Sequence, residues 1–281
     1  MRLNYVIATY SGPSDKKIQT PKKEALKIHL KNIANTKCTH INQVTIMKAV
    51  DENCVPNSEY YNVNEYIEQI KNKHNIPVKI VECENYCYSF GQWLLCYEQT
   101  KEDFDYYIFQ EDDYFPSMDN YDNTYLTAYR EAFPENIGVL CGLVLGKKNL
   151  LHTSAPLFVS NQTLQKLYSN PLWKGSPRKA MHDIFDYQEL FSENELKIFL
   201  KFEKCKGALY QVSFSFMFNH SDIISHDIME FRNDVVFLYW EDGVSLVLLY
   251  TNTIKRAKLR NNKNYQKIKK NALFLPFQWE I

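Results

Sequence analysis

Three carboxylates stand in a row at Glu111, Asp112 and Asp113, directly after the apolar run Tyr106-Tyr-Ile-Phe-Gln110 and shortly before Pro116. Adjacent like charges repel, and setting them at the end of a strand is costly without a cation. A divalent metal removes that cost. Mg²⁺ and Mn²⁺ take hard oxygen ligands, typically one or two carboxylates plus the phosphates of a substrate. The chemistry offered is metal-assisted handling of a phosphorylated ligand. The plainer alternative is a solvated acidic turn, which a strand delivering the three acids makes less attractive.

Positioning such a triplet requires a sheet, and the first 115 residues read as one. Leu3 to Thr9, Val44 to Val50, Val78 to Val81 and Tyr106 to Gln110 are apolar strands. Helical patterns alternate with them: one from near Pro21 carrying Ala25, Leu26, Ile28, Leu30 and Ile33, one over residues 60–73 and one over 90–98. Strands apolar on both faces suit a parallel sheet covered by helices on both sides. In such sheets ligands bind beyond the carboxyl ends of the strands. The polar residues there are Thr9, Ser11, Asp51, Asn85 and the triplet.

The second half is less regular. Residues 137–145 read as a buried strand, 157–159 as a short one and 161–168 as a helix. Residues 171–179 read as a loop, and 180–202 and 211–219 as helices. Residues 235–239 and 245–249 read as a hairpin turning through Glu241-Asp242-Gly243.

This arrangement resembles the GT-A glycosyltransferases, in particular their family-2-like group. The resemblance rests on Tyr5-Val-Ile-Ala-Thr-Tyr10, on a second strand ending at Asp51, on Asn85-Tyr-Cys-Tyr-Ser-Phe-Gly-Gln92 after the third, and on Glu111-Asp112-Asp113 in place of the family's D-x-D. It covers roughly residues 3 to 116 and, more faintly, Leu157-Phe-Val-Ser160. It implies a nucleotide-sugar donor lying across the strand ends, a hydroxyl of a glycan or other acceptor, and Mn²⁺ or Mg²⁺ as cofactor. Thr9 and Ser11 would lie by the nucleotide, and Asp51 would touch base or ribose. Asn85 and Gln92 would line the donor pocket. Asp113 would be the main metal ligand, Glu111 would reach sugar or metal, and Asp112 ribose or metal. Glu in the first place departs from D-x-D. No G-x-x-x-x-G-K-[ST] or G-x-G-x-x-G phosphate loop occurs, as expected if a metal holds the diphosphate.

An inverting transferase needs a carboxylate base, and the resemblance directs the search to His182-Asp183-Ile-Phe-Asp186-Tyr-Gln-Glu189. On a helix Asp183, Asp186 and Glu189 would share a face, either catalytic or merely solvated. His182-Asp183 also resembles the signature of metal-dependent phosphohydrolases, but seven dispersed histidines do not support it. His226 is a candidate further metal ligand, with an ordinary structural histidine as the alternative. Retention and inversion both stay open. Trp93, Tyr114 and Trp173 are candidate sugar-stacking rings. A nucleotidyltransferase making nucleotide sugars is a rival, although its Gly-rich basic loop is reduced here to Gly12 alone. A catalytically inactive, glycan-binding relative is another.

Composition narrows the field. Lys plus Arg and Asp plus Glu are 33 each, which argues against a dedicated nucleic-acid binder. The seven cysteines are scattered, only Cys83 and Cys87 being close, which suits reduced thiols rather than a disulfide framework. No signal-like leader and no run of membrane-spanning length is read, so a soluble cytoplasmic protein is expected. The excess of Lys, Asn, Ile and Tyr suggests an AT-rich genome, viral or bacterial. A single GT-A domain over 1–281 is expected, with a donor half at 1–116 and an acceptor half at 117–253. The tail at 254–281 is basic and aromatic, suited to a diphosphate, an anionic membrane surface or an acidic partner, or simply solvated.

Overall fold

The computed structural model describes residues 1–12, 22–54, 62–112, 114–116, 119–145, 152–228, 231, 237–241 and 244–248. The first half alternates as expected: β1 (Leu3–Tyr10), α1 (Lys22–Asn35), β2 (Ile41–Val50), α2 (Asn64–His74), β3 (Val78–Glu84), α3 (Tyr88–Thr100) and β4 (Tyr106–Glu111). Then come β5 (Tyr114–Pro116), α4 (Tyr121–Ala132), β6 (Val139–Leu145), β7 (His152–Ser160), α5 (Asn161–Ser169), α6 (Pro177–His182), α7 (Glu193–Phe202), α8 (Lys206–Asn219), β8 (Ser225–Asp227), β9 (Phe237–Glu241) and β10 (Val244–Leu248).

Seven strands form one mixed, mostly parallel sheet in the order β3-β2-β1-β4-β7-β6-β8. Only β7 runs against its neighbours β4 and β6. Alternation along β1 explains the layering. Leu3, Tyr5 and Ile7 face the apolar layer completed by Leu26 and Leu30 of α1 and Tyr125 and Tyr129 of α4. Val6 and Ala8 face the opposite layer, filled by Phe90, Trp93 and Tyr97 of α3 and Phe214 and Met217 of α8. Helices therefore cover both faces. The chain leaves β1 toward β2 and β3 on one side and returns to β4 on the other, so the topological switch point lies between β1 and β4.

A three-stranded sheet, β10-β9-β5, holds the strand that follows the acidic triplet. The expected hairpin is present as β9 and β10, antiparallel, with Glu241 opposite Val244. Its turn residues Asp242 and Gly243 lie outside the described residues, as do Asp113 and the whole 254–281 tail.

The continuous helix expected over 180–202 is broken into three pieces. Pro177 starts α6 early, within the expected loop, and Asp183 caps its end with φ −99° and ψ 38°. Ile184–Leu190 is a 3-10 segment kinked at Tyr187, and α7 then restarts from a capping box between Ser192 and Glu195. Asp183, Asp186 and Glu189 consequently do not line one α-helical face. No described helix is long and apolar enough to cross a membrane.

Candidate functional site

The segment between β3 and α3 ties the strand ends together. Asn85 Nδ2 donates to Asp51 Oδ2 at 3.1 Å, beyond the end of β2. Ser89 Oγ donates to Glu111 Oε1 at 2.7 Å, at the end of β4. Gln92 Nε2 donates to the Thr9 carbonyl at 3.0 Å, at the end of β1. Three of the expected positions thus meet one eight-residue stretch, 85–92. Its backbone is unusual: Cys87 and Tyr88 hold φ 60° and 53°, left-handed values that cost a non-glycine residue about 1 kcal/mol or more each. Gly91 permits this turn, because a Cβ there would collide with the Tyr86 carbonyl oxygen.

Glu111, the last residue of β4, and Asp112, just past its end, reach partners on opposite faces of the sheet. Glu111 reaches Ser89 on α3, whereas Asp112 Oδ2 accepts from Thr9 Oγ1 at 2.7 Å. The Asp112 amide also donates to the Ala8 carbonyl at 3.1 Å, extending the β1–β4 pairing past its last register pair. The acids therefore straddle the switch point. Asp51 accepts from Tyr10 Oη at 2.8 Å and from the Asn53 amide at 2.9 Å as well as from Asn85. Desolvation raises its carboxyl, but the bonds from Tyr10, Asn85 and Asn53 outweigh this and hold it below its ordinary value. Ser11 Oγ is buried with no hydrogen-bond partner among the described residues.

Beneath the triplet lies His29 of α1, fully buried. Its Nε2 is 2.8 Å from Tyr5 Oη and its Nδ1 is 3.3 Å from the Asp112 carbonyl. A carbonyl only accepts, so Nδ1 carries the proton and Nε2 accepts from the phenol. Burial brings the imidazole down to about 3. The folded ring thus binds a proton less readily than the unfolded one, whose ordinary value is about 6.5. Its contribution to stability is whole above that value and lost as pH falls through the window toward 3, by ~1.4 kcal/mol per unit. Urea unfolding in metal-free buffer should show that decline between pH 6.5 and 4.5, and His29→Gln should flatten it. An equal slope in both proteins would refute this account.

Of the base candidates, Asp183 alone is drawn toward the strand-end region. His182 Nδ1 lies 2.5 Å from Asp183 Oδ1, and the His182 ring stacks on Tyr86 at 4.8 Å. Burial and then neighbouring acidic groups raise the Tyr86 and Tyr187 phenols, Asp183 among them in both cases. Asp186 and Glu189 are exposed on the 3-10 segment.

His226 is a correction. It pairs across β8 with Leu140, which stands level with Phe158, Ile108 and Tyr5. It is therefore three strands from β4 and three residues short of Glu111, ~14 Å across and ~10 Å along the sheet. Its ring packs against Phe133 and Phe231 instead. The proposed sugar-facing rings need correcting too. Trp93 is fully buried with Nε1 donating to the Gln110 carbonyl at 2.9 Å, Trp173 donates to Ser221 Oγ at 2.9 Å inside the core, and Tyr114 is buried. Gln92 is likewise buried and acts as a brace between α3 and β1 rather than as an open pocket wall.

The residues that sequence reasoning passed over are Tyr10, His29, Tyr86 and Ser89. Tyr10, Tyr86 and Ser89 all lie inside the quoted motifs, Tyr10 beside Thr9 and Tyr86 beside Asn85. His29 has no local signal, since its partners come from distant segments.

The donor set at the switch point is all oxygen, with two carboxylates and two hydroxyls, which fits Mg²⁺ or Mn²⁺ better than a softer metal. Among the described residues no three His, Cys, Asp or Glu side chains gather around one point. A cation there would draw on one or two carboxylates and on ligand phosphates.

No family model matches the chain, and no curated protein matches it in sequence. Two among the many solved structures that resemble it loosely illustrate the match. A 4-diphosphocytidyl-2C-methyl-D-erythritol synthase from Anaerococcus prevotii aligns over 94% of this chain and 98% of its own, with 7% identity and a TM-score of 0.39. An inositol-1-phosphate CTP transferase from T. maritima aligns over 98% and 97%, with 12% identity and a TM-score of 0.40. Agreement at that level carries no conclusion about the reaction.

Proposed function

We propose that the chain is a metal-dependent glycosyltransferase of the GT-A type, moving a sugar from a nucleoside-diphosphate sugar to an acceptor hydroxyl. The observation that carries this reading is the convergence of Thr9, Asp51, Glu111 and Asp112 on the carboxyl ends of β1, β2 and β4, braced by residues 85–92. Asp51 and Glu111 stand two strand spacings apart across the sheet, ~10 Å, with Asp51 about four residues further along it by register. Asp51, with Tyr10 and Asn85, would take the base or ribose. Asp113, with Glu111 or Asp112 of the same triplet, would hold Mn²⁺ or Mg²⁺. When bound, the ion would stabilise the charge that grows on the departing diphosphate.

A nucleotidyltransferase making nucleotide sugars is the rival reading of the sequence, so the test includes that reaction. With Mn²⁺ and a panel of UDP- and GDP-sugars, the chain should release nucleoside diphosphate in an acceptor-dependent way. Pyrophosphate from a nucleoside triphosphate plus a sugar phosphate would instead establish nucleotidyl transfer. If calorimetry with Mn²⁺ finds no binding of UDP, GDP or TDP, the catalytic reading fails and an inactive glycan-binding protein remains.

A further inference from the structure

The His182 imidazole is held at three points that a solvated helix end does not require. Tyr86 stacks on it at 4.8 Å with planes 12° apart, and Tyr210 of α8 lies roughly parallel to it at 6.5 Å and 20°. Asp183 Oδ1 holds Nδ1 at 2.5 Å. The carboxylate only accepts, so it selects the tautomer with the proton on Nδ1 and leaves the lone pair on Nε2. Nε2 has no hydrogen-bond partner among the described residues, and the side chain is 43% exposed. Tyr86 is three residues from Ser89, the residue bonded to Glu111, at most ~10 Å of backbone. The imidazole is therefore linked to the strand-end site through the 85–92 segment. Around it are Tyr187 of the 3-10 segment, Tyr210 and Lys206 of α8, Cys87, and Arg178 of α6, whose guanidinium lies 5.3 Å from the Tyr86 ring centre.

We propose that His182 is the general base of the transfer and Asp183 its positioning residue, an assignment that rests on the glycosyl-transfer reading. His182 Nε2 takes the proton of the acceptor hydroxyl. The acceptor oxygen forms its bond to the anomeric carbon. The bond from that carbon to the diphosphate oxygen breaks, and its electron pair leaves with the nucleoside diphosphate. Asp183 balances the imidazolium, which later gives its proton to water. Imidazole is suited to this task near neutral pH, and orientation by a carboxylate at the other nitrogen is the logic of a catalytic dyad. A single displacement of this kind inverts the anomeric configuration. A carboxylate base, expected from the sequence at Asp183, Asp186 or Glu189, is thereby replaced by a histidine with a carboxylate behind it.

The test uses the full chain, Mn²⁺, a panel of UDP- and GDP-sugars, and p-nitrophenyl glycosides as acceptors. His182→Gln should fold, by circular dichroism, and bind UDP with Mn²⁺ as the wild type does. Its transfer kcat should fall roughly 10²- to 10⁴-fold with donor KM unchanged. Added imidazole should restore part of the rate to His182→Ala. Asp183→Asn should lower kcat with donor KM unchanged, and Asp183→Glu should recover part of the loss. NMR should find the product anomer inverted. A transferring wild type whose His182→Gln variant keeps within threefold of its rate, or whose product retains configuration, overturns this assignment alone. A wild type that transfers from no donor overturns both it and the glycosyl-transfer reading.

Discussion

Asp113→Ala should lower metal-dependent transfer by roughly 10²- to 10³-fold, the loss that follows when a preorganised stabiliser of transition-state charge is removed. Charge on the diphosphate grows as the sugar bond breaks, so the defect belongs in kcat more than in donor KM. Glu111 and Asp112 are each engaged by a hydroxyl, from Ser89 and Thr9 respectively, on opposite faces of the sheet. Neither can substitute for the third acid without giving up its own contact. A Mn²⁺ titration of the variant should require more metal for half-maximal rate. Full activity in Asp113→Ala, at any metal concentration, removes the acidic triplet from the chemistry and with it the main support for a glycosyltransferase.

Trp93→Ala should cost about 3–5 kcal/mol, the usual range for removing a buried large aromatic. The indole lies parallel to Phe109 at 5.7 Å and edge-on to Phe90 at 5.0 Å. Its Nε1–H also occupies the Gln110 carbonyl, one residue before the triplet, which the substitution would leave without that donor. At 2–4 °C per kcal/mol for a domain of this general size, Tm should fall by roughly 10 °C. A ring that merely stacked on a sugar would give the opposite pattern, a raised acceptor or donor KM with Tm unchanged. Differential scanning calorimetry beside steady-state kinetics separates the two.

Much of the scaffold was legible because its strands are apolar on both faces and closed by polar residues. β1, β2 and β4 announce themselves in that way, and so do the polar positions at their ends, whereas the edge strand β3 shows only the short run Val78 to Val81. α4 escaped notice because Tyr, Asn and Thr are indifferent helix formers. Its signal was the four-residue spacing of Tyr121, Tyr125 and Tyr129, all buried on one side. β5 and β8 are three residues long and carry no period to read. The break in 180–202 was available in Ser192 and Glu195, a capping signature in the middle of an apparently continuous helix.

Within the site, residue types and strand-end positions were readable, but partners were not. Thr9 meets Asp112 because β4 lies beside β1, a fact of strand order rather than of local pattern. His182 meets Tyr86 because α6 packs onto the start of α3. His226 was misplaced for the same reason: no spacing in the chain tells that β8 lies at the far edge of the sheet.

The strand that leaves the acidic triplet has its partner in β9, Tyr114 facing Tyr239. A ribosome delivers those two residues at very different times. The acids and β5 emerge early, with one edge of β5 bare until residues 237–241 arrive. N-terminal regions fold first during synthesis, and distant strand pairings form late. The nascent protein should therefore lack its finished centre from the time residue 116 emerges until residue 241 does.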